Sequence, residues 1–237
     1  MYLRVKKRIR HLLEGYTRRV IREECEGQRF TRNNERAIEY AFLFRQVAAL
    51  CPRSVLDVGT GVTALPHLIR SCGPVVTAID NVRDYWPDGM NNRHFLVLDD
   101  DITDSRLSGP FDLIACISAL EHMERADEAV RKMFRLLSSG GHVILTFSYS
   151  EHEFVPNVYE LPGSSYGQEE PYFTRAYSRA ELDRWIEESG ATLVSQEFWQ
   201  CWSGEHWTVG AALVPPRRVE VDDRHQLTCV VLRGRVT

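Results

Sequence analysis

One short segment places a carboxylate and two glycines where a strand would turn into a helix. The run Val55-Leu56-Asp57-Val58 leads directly into Gly59-Thr60-Gly61. Glycine at these positions permits a tight turn and lets a ligand approach the backbone closely. With Ala64, the spacing is also G-x-G-x-x-A, the dinucleotide-binding fingerprint. The pattern predicts a backbone cradle for a nucleotide-like ligand, although on its own it also fits an ordinary strand-to-helix turn.

Two further strand ends carry carboxylates. Asp80 ends an apolar segment about 20 residues after the turn, where a carboxylate can accept hydrogen bonds from ribose hydroxyls. Asn81 follows it, so a plain turn is the alternative. A third segment ends in Asp99–Asp101, and adjacent acids are costly to ionise without a partner. Asp101, before Ile102, is the best placed to accept from an adenine amino group, with solvated loop acids as the alternative.

Alternating strands and helices must position these residues. We predict helices over 1–26, 33–50, 63–71, 126–137 and 178–189, with Ala37, Tyr40, Ala41, Phe44, Val47 and Ala48 on the apolar face of the second. The predicted strands are Ser54–Val58, Pro74–Ile79, His94–Leu98, Phe111–Ile117, His142–Phe147, 191–200 and 226–233, the last two joined through Pro215-Pro216. The order indicates a doubly wound α/β fold: a mostly parallel seven-stranded sheet with an antiparallel edge strand and helices on both faces. Ligands bind at the carboxyl ends of strands in such sheets.

Two regions stand outside this alternation. Residues 1–30 form a basic helical arm, with eight Lys or Arg but a single acid within residues 1–22. A solvated helix is the plain interpretation, and a contact surface for lipid, RNA or a partner subunit, including a second copy of the chain, is the alternative. Residues 149–176 are rich in Tyr, Pro, Gly and Glu. A loop of this length is usually functional or disordered, and its aromatic content favours order.

The motifs taken together resemble those of the class I, Rossmann-like S-adenosylmethionine-dependent methyltransferases. The resemblance covers about residues 35–150 and rests on Val55–Gly61, Ala78-Ile79-Asp80, Asp101-Ile102, Phe111–Ile114 with Leu120-Glu121-His122, and Leu136–Leu145. A nicotinamide enzyme would share the glycine turn and Asp80, but is not expected to share the last two segments. The resemblance implies a transferase with a methyltransferase domain over 31–237, into which residues 149–176 are inserted as a substrate cap.

The resemblance also implies a set of cofactor contacts. The expected S-adenosylmethionine-binding residues are Asp57, Gly59, Thr60, Gly61, Asp80, Asn81, Asp101, Ile102, Ile117 and Ser118. Asp57 and the glycines would lie around the methionine part, Asp80 would hold the ribose, and Asp101 with Ile102 the adenine. The last two residues of the set would line the cofactor at the end of the fourth strand.

The acceptor is expected to be a small molecule or a glycan-type compound, methylated on oxygen or nitrogen. Duplex DNA is disfavoured, because the Asn/Asp-Pro-Pro-aromatic motif of amino-base methyltransferases is replaced by Cys116-Ile117-Ser118-Ala119. A net charge of −4 gives no general attraction to nucleic acid. Cys116 lacks a preceding proline, so we interpret it as a buried core residue rather than a nucleophile.

Three histidines are candidates for a general base, which a hydroxyl acceptor would benefit from. His122 stands beside the expected cofactor pocket, with a packing role as the alternative. His152 lies between two glutamates, which also suits a polar loop, and His206 lies among tryptophans. Phe198, Trp199, Trp202 and Trp207 would either wall the acceptor site or fill the core beneath an edge of the sheet.

The remaining composition narrows the class of protein. None of the six cysteines forms a C-x-x-C pair, so a zinc site is not expected, and scattered cysteines suit a reducing, cytoplasmic compartment. No apolar run reaches the length of a transmembrane segment. Two functional alternatives stay open. One is a protein or RNA methyltransferase that holds its substrate with the basic arm, and the other is a catalytically silent partner subunit that keeps the fold.

Overall fold

Eight strands pair into one sheet in the part of the chain that this computed structural model describes, residues 2–28, 35–83, 86, 89–169 and 172–236. The strands are β1 Ser54–Val58, β2 Val75–Asp80, β3 Val97–Asp99, β4 Phe111–Ile117, β5 Leu137–Ser148, β6 Thr192–Trp202, β7 Ala212–Val219 and β8 Leu227–Arg233. The helices are α1 Tyr2–Glu26, α2 Glu35–Leu50, α3 Leu65–Ser71, α4 Ala126–Arg135 and α5 Arg179–Ser189. Short 3₁₀ turns cover Ile102–Asp104, Leu120–His122 and Val158–Glu160.

The strand order is β3-β2-β1-β4-β5-β8-β6-β7. Strands β1 to β5 are parallel, β8 pairs antiparallel with β5 and β6, and β7 pairs antiparallel with β6 at the edge. This confirms the predicted α/β fold with an antiparallel edge strand. The predicted count of seven strands is wrong, because the segment with Pro215 and Pro216 is itself strand β7. Proline cannot donate a ladder hydrogen bond, so such a strand is tolerated at an edge and is hard to recognise from sequence.

The sheet separates two apolar cores. On one face, α4 and α5 cover a core that contains the fully buried Ile114 and Cys116 of β4. On the other face, α2 and α3 cover a core that contains Leu113 and Ala115 of the same strand. Successive residues of a strand point to opposite faces, so β4 supplies both cores and its carboxyl end lies in the middle of the sheet edge.

The buried face of helix α2 overlaps the predicted one only in part, because Val47 is buried and Tyr40 and Phe44 pack against the core as predicted. The buried residues are Ile38, Glu39, Phe42, Leu43 and Val47, whereas Ala37, Ala41 and Ala48 of the predicted face are exposed. Both sets recur at helical spacing, so periodicity alone does not choose between them. The rotation matters for the site, because it brings a glutamate into the interior.

The chain divides into two compact units, residues 1–33 and residues 34–237. The first unit consists of α1 in the part of it that is described, and the ion pairs Arg10–Glu14 and Arg19–Glu23, both at 2.8 Å, follow its surface. None of the described helices is long and apolar enough to cross a membrane. The second unit contains all eight strands of the sheet and the strand-end residues for which a functional role is expected.

Candidate cofactor and acceptor site

The turn after β1 is packed tightly against the chain that follows β4. Gly59 has φ 73°, and a Cβ atom built on it would lie 2.4 Å from Cβ of Ala119. Its N–H donates to the carbonyl of Ile79 at 3.0 Å. Glycine is therefore required at position 59 both by the left-handed backbone and by the close approach of two strand ends.

Asp80 lies beside this turn, as the spacing predicts. Its Oδ2 accepts a hydrogen bond from the backbone N–H of Gly61 at 2.7 Å, and its Oδ1 accepts from the indole Nε1 of Trp86 at 3.0 Å. Burial raises the pKa of Asp80, although these hydrogen bonds favour the ionised form. Each carboxylate oxygen can accept more than one hydrogen bond, so Asp80 can still accept hydrogen bonds from the two hydroxyls of a ribose diol. Trp86 was not anticipated, because nothing in its spacing marks it as a partner of a strand-end acid.

The acids after β3 have partners within the protein. Asp100 accepts from the hydroxyl of Ser105 at 2.7 Å. Asp101 caps the turn Ile102–Asp104, accepting from the N–H and the hydroxyl of Thr103, each at 2.8 Å. The other oxygen of Asp101 lies 3.4 Å from the guanidinium of Arg125. Partners within the protein thus stabilise the carboxylates of these adjacent acids without a ligand. Ile102, which follows Asp101, is buried.

Two buried carboxyl groups lie between the glycine turn and the end of β4. Oδ2 of Asp57 accepts from the hydroxyl of Thr60 at 2.9 Å, and burial raises the pKa of Asp57 to about 7. Glu39 of α2 is fully buried, and its Oε1 accepts from the hydroxyls of Ser118 at 2.5 Å and Thr146 at 2.7 Å. Burial raises the pKa of Glu39 as well.

A third buried carboxyl group and one cation complete this cluster. Burial, reinforced by Glu39, raises the pKa of Glu121 to about 8, and its Oε2 has no hydrogen-bond partner among the described residues. The guanidinium of Arg36 lies 3.1 Å from Glu39 and is partly exposed. The sequence motifs included Glu121 without assigning it a role, and they missed Arg36 and Glu39. In the sequence, Arg36 and Glu39 stand out only as two charged residues in an otherwise largely apolar helix.

The last two predicted cofactor residues end β4. Ser118 has φ 46°, unusual for a residue with a side chain, and its N–H donates to the carbonyl of Thr146 at 3.0 Å. Such conformations are held by surrounding structure and cluster at functional sites. Ile117 is buried in the core on the α2 side, and Asn81 follows Asp80 directly at the end of β2.

His122 lies where the chain after β4 meets residues 149–176. Its Nδ1 is 2.9 Å from the carbonyl oxygen of Phe173 and 3.2 Å from the hydroxyl of Thr174. Since a carbonyl only accepts, the proton belongs on Nδ1, which leaves Nε2 as an acceptor. Burial lowers the pKa of His122, so the ring is neutral near pH 7. The ring of Tyr172 stands edge-on to it, with centroids 4.9 Å apart.

The other two candidate histidines lie in or against residues 149–176. Nε2 of His206 is 3.1 Å from Oε1 of Glu153, and its Nδ1 is buried with no hydrogen-bond partner in the described part of the chain. Because β6 and β5 are each antiparallel to β8, the loop after β6 puts His206 at the same carboxyl edge of the sheet as the glycine turn, several strands away from it. His122 follows β4, next to the glycine turn, and His152 is exposed.

The described residues of the segment, 149–169 and 172–176, are tied to the chain after β4. The N–H of Arg175 donates to the carbonyl of Glu121 at 3.0 Å, and its guanidinium donates to the carbonyl of Met123. The methyl group of Met123 in turn lies 3.8 Å from a Cβ built on Gly59. The segment therefore reaches the sheet edge that carries the glycine turn and Asp80.

The late aromatic residues divide between the two faces of the sheet. Phe198 packs against the core under α4 and α5, whereas Trp199, Trp202 and Trp207 pack against the core under α2. Trp207 also contacts a small apolar cluster within residues 149–176, here called the cap segment. The cluster is formed by Val155, Val158, Tyr159 and Ala176. These rings fill the core for the most part, and Trp207 joins the core to the segment above it.

Comparison with known families decides the class of enzyme. The family described as the methyltransferase domain matches residues 26–196. The chain belongs to this family. The methyltransferase is 26% identical over 161 residues to the ubiquinone biosynthesis O-methyltransferase of Coxiella burnetii, covering 63% of this chain and 68% of that protein. It is 28% identical over 155 residues to the corresponding enzyme of Dechloromonas aromatica, covering 59% and 65%.

Solved structures share the fold of this methyltransferase. The 1,6-didemethyltoxoflavin-N1-methyltransferase of Burkholderia thailandensis matches with a TM-score of 0.54 at 15% identity, over 95% of this chain and 90% of that one. The N-methyltransferase NodS of Bradyrhizobium japonicum, solved with S-adenosyl-l-homocysteine, matches with a TM-score of 0.51 at 15% identity, over 85% and 88%. The predicted class is confirmed: the chain is a class I methyltransferase that uses S-adenosylmethionine.

Proposed function

We propose that this methyltransferase transfers the methyl group of S-adenosylmethionine to a hydroxyl oxygen of a small molecule held under residues 149–176. One observation carries the proposal. The imidazole of His122, neutral and fixed by the carbonyl of Phe173, keeps an accepting nitrogen at the junction between the cofactor edge and the cap segment. A nitrogen acceptor with a free lone pair would not need that base.

The residues at the sheet edge fit the cofactor. The carboxylate of Asp80 suits the ribose diol, and the backbone of Gly59 and Gly61 gives a ligand close access. The partly exposed guanidinium of Arg36 suits the carboxylate of the methionine part, near the buried Asp57. The other expected contacts are Thr60, Asn81, Asp101, Ile102, Ile117 and Ser118.

Proton transfer to His122 completes the chemistry. The bound cofactor supplies an electrophilic methyl group on sulfur. The acceptor hydroxyl would take up that methyl group with S-adenosylhomocysteine as the leaving group, and Nε2 of His122 would accept the hydroxyl proton. Positioning of the two reactants provides much of the acceleration, and a well-placed base adds about 10²–10⁴-fold.

The surroundings of His122 favour a ring-bearing acceptor. Tyr172 lies against the imidazole, and Tyr172 and Tyr166 both pack around Tyr159. Aromatic walls of this kind suit a flat ring or the apolar face of a sugar. The sequence relatives are named for O-methylation in ubiquinone biosynthesis, which supports a hydroxylated ring first and a glycan-type acceptor second.

A matched pair of acceptors tests the acceptor atom. We expect methyl transfer from radiolabelled S-adenosylmethionine to 3,4-dihydroxybenzoate but not to 3,4-diaminobenzoate, which has the same ring and carboxylate. Transfer to the amine alone would contradict an oxygen acceptor. Label found only in added protein or RNA would instead favour a macromolecular substrate.

A substitution of His122 tests the base. His122→Gln should lower kcat by about 10²-fold or more, since a general base is lost, and should leave cofactor affinity in calorimetry unchanged. In the unsubstituted enzyme, kcat/KM should fall as pH drops through the lowered pKa of His122 and be level above it. His152→Gln, at an exposed histidine, is the matched control. Equal rates and pH profiles for both variants would rule out His122 as the base.

A further inference from the structure

Helix α1 carries an apolar stripe that faces solvent. Its members recur at helical spacing and lie within about 100° of the helix circumference; they are Val5, Ile9, Leu12, Leu13, Tyr16 and Val20. Leu12, Tyr16 and Leu13 are exposed to 75%, 70% and 61%. Burial of a leucine side chain is worth about 1.5–3 kcal/mol, so a stripe of this size is expected to have a partner.

Over residues 1–22 the rest of the helix surface is mainly basic, whereas the sequence of the last turn of the helix contains Glu23, Glu24 and Glu26. Lys6 borders the stripe on one side, and Arg8 and Arg19 border it on the other, while Lys7, Arg10, Arg18 and Arg22 lie further round. Residues 1–22 contain eight of the 29 Lys and Arg of the chain but only one of its 33 Asp and Glu. The positive charge is thus concentrated on one helix of a protein whose net charge is −4.

We propose that α1 binds the surface of an anionic lipid bilayer and lies in its plane. The stripe would enter the boundary between headgroups and acyl chains, and the cations beside it would meet the negative headgroups. Long Lys and Arg side chains can cover apolar surface while their charged ends stay at the headgroups. The helix is not long and apolar enough to cross the membrane, which agrees with an in-plane position.

Two other occupants fit the surface less well. If two copies packed stripe to stripe in parallel, the bordering cations, Lys6 and Arg19 among them, would be brought near those of the other copy, and like charges repel. Antiparallel packing would instead bring the acids of the last turn near those cations, and self-association in the absence of lipid would reveal it. An RNA strand would engage the cations but would leave Leu12 and Tyr16 in water. Only a surface that is negative outside and apolar beneath uses both parts of the helix.

Vesicle sedimentation of the full chain tests the proposal. We expect binding to vesicles that contain phosphatidylglycerol and at least about tenfold weaker binding to pure phosphatidylcholine, since each cation near an anionic surface contributes about 1 kcal/mol. Raising the salt from about 0.1 to 1 M shortens the Debye length from about 10 to 3 Å and should weaken the binding.

Two leucines give matched variants. Leu12→Gln removes apolar surface from the stripe without adding charge, and it should weaken phosphatidylglycerol binding about tenfold while circular dichroism stays unchanged. Leu96→Gln changes a leucine of similar exposure, 79%, in the other unit, and should leave binding unchanged. Absence of binding to phosphatidylglycerol vesicles, or equal effects of the two variants, would overturn the proposal. So would self-association that Leu12→Gln abolishes without lipid, or RNA binding that outcompetes the vesicles.

Discussion

The proposed cofactor edge and the proposed acceptor side of this methyltransferase are built in different ways. At the cofactor edge, β1, β2 and β4 lie side by side in fixed register, and the contacts are made by backbone groups and short carboxyl side chains, such as Gly61 to Asp80 at 2.7 Å. On the acceptor side, loop residues more than fifty positions apart in sequence meet through hydrogen bonds, such as His122 to Phe173 and Arg175 to Glu121. The first region follows from strand pairing, and the second depends on how one long loop folds back.

The difference predicts which substitutions affect cofactor binding and which affect turnover of the acceptor. Changes at the cofactor edge should alter the turn and therefore the affinity for S-adenosylmethionine. Changes in the loop should alter acceptor turnover and spare that affinity, because the expected cofactor contacts come from earlier strand ends. Three substitutions test this division, in order of decreasing effect.

The largest effect is expected from Gly59→Ala. The new Cβ would overlap Ala119, at 2.4 Å, in a backbone with φ 73°. Overpacking and left-handed strain together should cost about 2–5 kcal/mol of unfolding free energy and abolish measurable cofactor binding. Gly73→Ala is the control, since φ is 117° there but no atom lies within 4 Å of the new Cβ. Urea unfolding and calorimetry measure both variants, and equal losses would show that strain alone explains the glycine.

Asp80→Ala should have the next largest effect. A charge-assisted hydrogen bond to a ribose hydroxyl is worth about 1.5–3 kcal/mol, so cofactor affinity should fall at least about tenfold. The unfolding midpoint should change less than the affinity, because the desolvation of Asp80 offsets part of what its hydrogen bonds to Gly61 and Trp86 contribute. A titration that gives unchanged affinity would contradict the ribose assignment, and loss of the fold would make Asp80 a structural residue instead.

The smallest effect on the cofactor is expected from Arg175→Gln. Its guanidinium holds the cap segment to the carbonyls of Met123 and Glu124. Loss of these bonds should lower kcat/KM for the acceptor about tenfold, since hydrogen bonds from charged groups contribute about 1.5–3 kcal/mol. Cofactor affinity should stay within about twofold, because Arg175 makes none of the expected cofactor contacts. If cofactor affinity falls as far as acceptor turnover, the two regions act as one site.

The same division explains how much could be predicted from the sequence. The cofactor edge could be predicted, because apolar strands that end in Gly59, Gly61 and Asp80 must meet at one edge of a parallel sheet. The fold class followed from the alternation of strands and helices. Strand β7 was missed because its two prolines indicate a connection rather than a strand.

The buried carboxyl cluster could not be predicted. Helix α2 is apolar nearly all the way round, so the sequence pattern allowed a face that left Glu39 outside, whereas packing turned it inward. The pairing of Arg36 with Glu39 and the unpartnered oxygen of Glu121 follow from that rotation. Contacts of the loop, such as Arg175 to Glu121, have no short-range signal, because they depend on tertiary closure over more than fifty positions of sequence.

The two edges of the sheet are protected against pairing with other chains. An unpaired strand edge is a template for aggregation, and proteins protect it with short strands, prolines or charges. Strand β3 contains three residues, and at the opposite edge β7 carries Pro215 and Pro216 followed by Arg217 and Arg218. Intermolecular strand addition is disfavoured at both ends, so this eight-stranded sheet can stay open without growing into an oligomeric or fibrillar one.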